Sequence, residues 1–169
     1  LNQITKDATI VASNTSSLSI TSLAKEYRNS DRFIGLHFFN PAVIMQLVEI
    51  IPAIQTSGET KEVATKFIES LGKISVMAKD SPGFIVNKVA RPFYGEAIRI
   101  LEEGISDIPT IDHAMTSLGG FKMGAFTLMD FIGHDVNFKV TTEVWKSFHF
   151  DSRYKPSFTQ QRLVEAGYL

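Results

Sequence analysis

Two neighbouring runs set the strongest limits on how this chain can fold. Phe33-Ile34-Gly35-Leu36-His37-Phe38-Phe39 is apolar and aromatic and stops at Asn40-Pro41, the pattern of a buried strand ending in a turn. Gln46-Leu47-Val48-Glu49-Ile50-Ile51 follows and reads as a second strand. Each run holds one ionisable side chain among apolar neighbours, His37 in the first and Glu49 in the second. A carboxylate buried in a strand is costly unless it is paired or hydrogen-bonded. A histidine on the adjacent strand is its obvious partner. Such a pair at the ends of neighbouring strands can serve as a general base with its orienting carboxylate.

The flanking segments give these strands a context. Residues 1–7 are polar, the tail of a helix or a loop, and Ala8 to Ser13 reads as a short strand. Asn14-Thr15-Ser16-Ser17 is a turn with several possible N-caps, and Leu18 to Tyr27 continues with helical spacing. After Pro52, Lys61 to Leu71 forms a helix whose Val63, Ala64, Phe67, Ile68 and Leu71 share one face, and Gly72 ends it. Lys73 to Ala78 is a last strand. Strand, polar turn, helix, strand is the rhythm of an α/β domain, and a two-layer α/β piece is expected up to residue 80.

The character changes at Ser81-Pro82-Gly83. Phe84 to Glu103 predicts a long helix with Pro92 inside it and Gly104 after it. Pro109 to Leu118, Gly124 to Ile132, His134 or Asp135 to Phe148, and Ser157 to Ala166 predict further helices. The fold class is therefore α/β followed by all-α, with a boundary near residue 80.

Composition removes several function classes. The 169 residues are 44% hydrophobic and 21% charged, an ordinary globular balance. A net charge of −1 recommends neither nucleic acid nor an acidic membrane as partner. With no cysteine there is no disulfide, thiolate metal site or cysteine nucleophile, which suits a cytoplasmic protein. No apolar run reaches the length of a membrane span. His113, His134 and His149 have no second ligand at a metal-binding spacing, so no metal site is expected. The aromatics Phe121, Phe126, Phe131, Phe138, Trp145 and Phe148 read as core and subunit interface.

Taken together, Ala12-Ser13-Asn14-Thr15-Ser16-Ser17-Leu18, Gly35-Leu36-His37-Phe38-Phe39-Asn40-Pro41, Leu47-Val48-Glu49 and Asp80-Ser81-Pro82-Gly83-Phe84-Ile85-Val86-Asn87 resemble L-3-hydroxyacyl-CoA dehydrogenases, in order and spacing and over nearly the whole chain. The bacterial 3-hydroxybutyryl-CoA dehydrogenases are the nearest in flavour. The resemblance implies a Rossmann NAD-binding domain over residues 1–80 and a helical dimerisation domain over residues 81–169 that closes over an acyl-CoA. It implies the oxidation chemistry of fatty acid metabolism, with NAD as cofactor and a homodimer as the assembly. No G-x-G-x-x-G occurs in the sequence, so the phosphate-cradling turn is missing. About a hundred residues, one mononucleotide half, are expected ahead of Leu1, and the end at Leu169 looks clipped too. The chain resembles the second half of the Rossmann domain plus most of the helical domain.

The same resemblance assigns roles. His37 matches the catalytic base that takes the proton of the 3-hydroxyl, for which imidazole is suited because it titrates near neutrality. Glu49 matches the carboxylate that orients it, as an Asp does in a triad. Ser16 matches the serine that binds the 3-oxygen, although a serine there could instead cap the following helix. Asn87 matches an asparagine near the substrate, whose amide can donate to a developing oxyanion; otherwise it is an exposed helix residue. Asn14 and Asn40 match positions beside the nicotinamide, against the plainer reading of two turn-formers. Three readings follow: a dehydrogenase, a non-catalytic dimerisation and substrate-lid fragment lacking the cofactor half, or an inactive structural relative. The intact Ser16, His37, Glu49 and Asn87 set speaks against the last. A lysine-base hydroxyacid dehydrogenase is disfavoured because Asn87 stands where the family has its asparagine.

Overall fold

Strand β2 (Phe33–Phe38) and strand β3 (Leu47–Pro52) lie at the centre of a four-stranded sheet, flanked by β1 (Val11–Ser13) and β4 (Ile74–Met77) in the order β1-β2-β3-β4. The computed structural model describes residues 1–168. The sheet is mixed: β1 and β2 are parallel, β3 and β4 are parallel, and β2 and β3 are antiparallel. The reason is local. Phe38 and Leu47 are joined by a short loop, and a parallel return would need a crossover of a dozen or more residues.

Both faces of the central strands are covered. Side chains alternate across a strand. Phe33 and Ile51 point to one face and pack with Ile20, Ala24 and Phe84, under helix α1 (Ile20–Lys25). Ile34, Leu36, Val48 and Ile50 point to the other and meet Ala64 and Ile68 of helix α2 (Gly58–Ser70). The expected two-layer arrangement is therefore corrected to three layers, helix, sheet, helix. The signal was present: a strand buried on both sides reads as a continuous apolar run, as 33–39 does, rather than an alternation. Gly35 belongs to this packing. A Cβ there would lie 2.8 Å from Ile20 Cδ1 and 3.0 Å from Ile51 Cβ.

Several of the predicted elements are shorter than the sequence suggested, the first strand and first helix most of all. β1 has three residues rather than six, and α1 begins at Ile20 rather than Leu18. For the helix, the cause is the cap. Ser19 Oγ accepts from the Ser22 N–H, and the Asp80 carboxylate accepts from Ile20 N at 2.9 Å, Thr21 N at 2.7 Å and Ser19 Oγ at 3.1 Å. The polar stretch ahead of Ser19 is thus left as loop. In α2, Ser57 caps the N-terminus and Gly72, at φ 69°, follows the C-cap Leu71.

The backbone divides into two compact units, one through Val86 and the other from Asn87 onward. The second is helical: α3 (Val86–Glu102), α4 (Ile108–Ser117), α5 (Ala125–Ile132), α6 (His134–Ser147) and α7 (Phe158–Glu165). Its core joins Tyr94, Ala97 and Ile98 of α3 to Ile111 of α4 and to Ala125, Phe126 and Met129 of α5. Asp112 accepts from the Phe126 and Thr127 N–H groups and so caps α5; Gly124 is glycine because a Cβ would lie 2.2 Å from the Asp112 carboxyl carbon. Pro92 sits inside α3 without ending it. No described helix is long and apolar enough to cross a membrane.

Candidate active site

The antiparallel register sets His37 of β2 directly opposite Glu49 of β3. Both side chains point to the α1 face. They are almost fully enclosed, His37 6% exposed and Glu49 1%. His37 Nδ1 and Glu49 Oε2 are 2.7 Å apart, a charge-assisted separation. The second oxygen, Oε1, accepts from the backbone N–H groups of Ile85 and Val86, each at 2.9 Å. Burial pushes the Glu49 carboxyl up, but the hydrogen bond from His37 and the N–H groups of Val86 and Ile85 outweigh it, so its pKa lies below the usual glutamate value. The carboxylate is therefore ionised at neutral pH and can only accept. Nδ1 therefore carries the proton between them, so that in the neutral imidazole Nε2 is the lone-pair acceptor. Nε2 has no hydrogen-bond partner among the described residues. The ring is held by Phe39 and Phe84, with centroids at 4.6 and 5.7 Å.

The two N–H groups that hold Glu49 are functional groups that residue-by-residue reading missed. They sit just past Ser81-Pro82-Gly83, where Gly83 and Phe84 have φ of 71° and 48°. Two left-handed residues in succession turn the following N–H groups toward one acceptor, and a positive φ at phenylalanine is strained. The Pro-Gly pair was the signal for such a turn; which acceptor it serves could not be read from the chain.

The other predicted residues fall as follows. Asn14 follows β1, and its Oδ1 accepts from the Phe38 N–H at 2.8 Å, which fastens the loop after β1 to the residue next to His37. Its amide nitrogen makes no hydrogen bond among the described residues. Ser16 lies in that loop, half-buried. It is not the helix cap, because Ser19 is, and its hydroxyl makes no hydrogen bond among the described residues. Asn40 is exposed, past the end of β2, in a cis Asn40-Pro41 turn. Asn87 is half-buried at the start of the helical unit, with its side-chain amide likewise without a hydrogen bond. The first unit thus brings together His37, Glu49 and the Asn14–Ser16 loop, while Asn87 belongs to the second.

Residues 1–81 match the family model for the 3-hydroxyacyl-CoA dehydrogenase NAD binding domain, and residues 83–169 match that for the C-terminal domain of the same family. The chain belongs to the 3-hydroxyacyl-CoA dehydrogenase family. It is 46% identical over its full length to the 3-hydroxyadipyl-CoA dehydrogenase of Escherichia coli (strain K12), of which it covers 36%. It is 43% identical over 165 residues to the mitochondrial hydroxyacyl-coenzyme A dehydrogenase of Homo sapiens, of which it covers 52%. Among solved structures, a 3-hydroxybutyryl-CoA dehydrogenase from Escherichia coli K12 superposes with a TM-score of 0.94 at 46% identity, over 96% of this chain and 34% of that one. The (S)-3-hydroxybutyryl-CoA dehydrogenase of Ralstonia eutropha gives 0.91 at 41% identity, over 95% and 56%. The chain spans well under two thirds of the length of each of these 3-hydroxyacyl-CoA dehydrogenase family members.

Proposed function

We propose that this chain carries the acid–base centre of an NAD-dependent 3-hydroxyacyl-CoA dehydrogenase, which interconverts an L-3-hydroxyacyl-CoA and its 3-oxoacyl-CoA in β-oxidation-type chemistry. The observation that carries the reading is the buried His37–Glu49 pair with Nε2 left open. In oxidation, His37 Nε2 takes the proton of the substrate 3-hydroxyl, and Glu49 compensates the imidazolium that forms. In reduction the same nitrogen returns the proton. Ser16 and Asn87 are the candidates for holding the 3-oxygen, each with side-chain polar atoms that make no hydrogen bond among the described residues. Asn14 and Asn40 lie beyond the carboxyl ends of β1 and β2, the side of an open α/β sheet where cofactors bind. They would hold the nicotinamide end of NAD, and the Asn14 amide nitrogen, which makes no hydrogen bond among the described residues, fits that role. When bound, NAD supplies the acceptor for the hydride leaving C3. Relatives are named for 3-hydroxyadipyl and 3-hydroxybutyryl substrates, which supports a short acyl chain.

A second reading applies to the chain by itself. The sequence has no G-x-G-x-x-G, so these residues alone would be a non-catalytic substrate-lid and dimerisation fragment. Pairing of two copies through the helical unit belongs to this proposal, supported by exposed Leu118, Phe131 and Val136; a cytoplasmic setting belongs to it as well.

The test is an NADH-linked acetoacetyl-CoA assay on the purified chain and on the chain joined to the G-x-G-x-x-G half of a relative, with folding checked by circular dichroism. The joined protein should oxidise NADH and lose that activity on His37→Ala, while the chain alone stays inert. A folded joined protein that reduces no 3-oxoacyl-CoA would refute the dehydrogenase reading.

A further inference from the structure

The helical unit contains a cavity of about 340 Å³ that the acid–base centre does not use. That is large enough for a small ligand. Arg91 of α3 lines it and is only 5% exposed. Its guanidinium donates from Nε to the Asn87 carbonyl at 3.2 Å, and from Nη1 to the Asn137 carbonyl at 3.2 Å and Thr141 Oγ1 at 2.9 Å. All three acceptors are neutral. No carboxylate pairs with Arg91 among the described residues, and Nη2 makes no hydrogen bond there. A buried cation without a counter-charge is among the most costly arrangements a fold can hold, and arginine does not escape by giving up its proton.

The rest of the wall has the same preference. Tyr94, whose ring lies 4.9 Å from the Arg91 guanidinium carbon, lines the cavity with a hydroxyl that makes no hydrogen bond among the described residues. Burial pushes that hydroxyl's pKa up, with Arg91 pulling it back, so it stays a donor at neutral pH. Arg99, Arg153 and Lys155 add further positive charge. Arg99 and Arg153 are partly engaged, by Glu96 and Asp151, and Lys155 lies over the Phe158 ring. The one acid among the wall residues, Glu102, has its Oε1 taken by Ser157 Oγ and the Thr159 N–H at the start of α7, and its single charge is outnumbered by Arg91, Arg99, Arg153 and Lys155. Ile98 and the ring of Tyr154 give the cavity an apolar side, and the space beyond Gly95 is open.

We propose that this cavity is a binding site for a small organic anion, with a carboxylate or phosphoryl group on Arg91 Nη2 and the Tyr94 hydroxyl and its apolar body against Tyr154 and Ile98. Arg91 is then a binding residue whose missing counter-charge is supplied by the ligand.

The experiment is isothermal titration of the full chain in low-chloride buffer at neutral pH, with adipate, inorganic phosphate and neutral adipamide in turn. Saturable one-to-one binding of adipate or phosphate, with none of adipamide, is expected. Adipate alone identifies a carboxylate site, and phosphate alone a phosphoryl site. Arg91→Met keeps the stem of the side chain and removes the charge; it should weaken binding at least tenfold. Gly95→Leu fills the cavity while leaving Arg91 intact, and should abolish binding even if Arg91→Met fails to fold. No saturable binding of either anion, equal binding of adipamide, or binding unchanged in the folded variants would overturn the proposal. None of these outcomes bears on NADH oxidation, so the site stands or falls apart from the dehydrogenase reading.

Discussion

Glu49 holds His37 with one oxygen and its own backbone anchor with the other: Oε2 lies 2.7 Å from Nδ1, while Oε1 takes the Ile85 and Val86 N–H groups at 2.9 Å. The carboxylate thus fixes both the tautomer and the ring position. Glu49→Gln removes that choice. The amide carbonyl suits the two N–H donors, which turns the amide NH₂ toward Nδ1 and makes Nδ1 the acceptor. The proton then moves to Nε2, the nitrogen needed as base. Nitrogen-15 chemical shifts should show the tautomer of His37 reversed. In the NAD-competent joined protein kcat should fall by about 10²- to 10⁴-fold with the fold intact. An unchanged tautomer would show that Glu49 does not orient the ring.

The same pair sets an acid limit on stability. The Glu49 carboxyl is depressed in the folded state, so the unfolded chain binds its proton more readily. Its contribution is fully present above the ordinary glutamate value of 4.5 and is lost as pH falls through the lower folded value. The unfolding free energy, from urea melts between about pH 6 and about pH 3, should decline more steeply in the wild type than in Glu49→Gln. Asp80 is depressed in the same way, by the bonds from Thr21, Ile20 and Ser19 that outweigh its burial, and it remains in both proteins, so the difference isolates Glu49. Glu49→Ala, which leaves two backbone donors and the histidine unpaired, should cost about 3–5 kcal/mol near neutral pH. Parallel pH curves would dismiss the linkage.

How much of this could be read from the chain depended on the range of the interaction. Element order followed from punctuation that is local: Gly72 after α2, Pro52 as the last residue of β3, Ser81-Pro82-Gly83 ahead of α3. The partnership of His37 with Glu49 was legible because two ionisable groups in adjacent buried strands have few other ways to be satisfied. The cap of α1 was not, since Asp80 reaches Ile20 and Thr21 from 60 and 59 residues away in sequence. Nor were the Ile85 and Val86 donors, because backbone groups carry no residue signature. Arg91 carries no sequence signal for a related reason. Its lack of an acidic partner among the described residues is a property of the packed helices, not of any spacing.

Gly35 offers a test of packing independent of chemistry. A Cβ there would press on Ile20 Cδ1 and Cγ1 at 2.8 and 2.9 Å and on Ile51 Cβ at 3.0 Å. The Ile20 tip can yield, but Ile51 Cβ is tied to β3. Gly35→Ala should therefore destabilise by about 1–3 kcal/mol in urea denaturation. Ile20→Val removes the Cδ1 atom and should recover part of that loss in the double variant, giving a favourable coupling energy. A fully additive double variant would place the clash elsewhere.

Ser16 and Ser19 should exchange roles between two assays. Ser19 Oγ accepts from the Ser22 N–H and donates to Asp80, so it belongs to the helix cap. Ser19→Ala should cost about 1 kcal/mol of stability and leave kcat in the joined protein nearly unchanged. Ser16 has no hydrogen bond to lose among the described residues, so Ser16→Ala should move stability by less than about 0.5 kcal/mol. If its hydroxyl meets the 3-oxygen as the charge develops, kcat/KM should nevertheless drop by about 10- to 10³-fold, mostly in kcat because the contact strengthens toward the transition state. Thermal melts and steady-state kinetics on the two variants decide the matter together. A Ser16→Ala protein that is destabilised but fully active would return that serine to the turn and leave His37 as the only group of the first unit at the substrate oxygen.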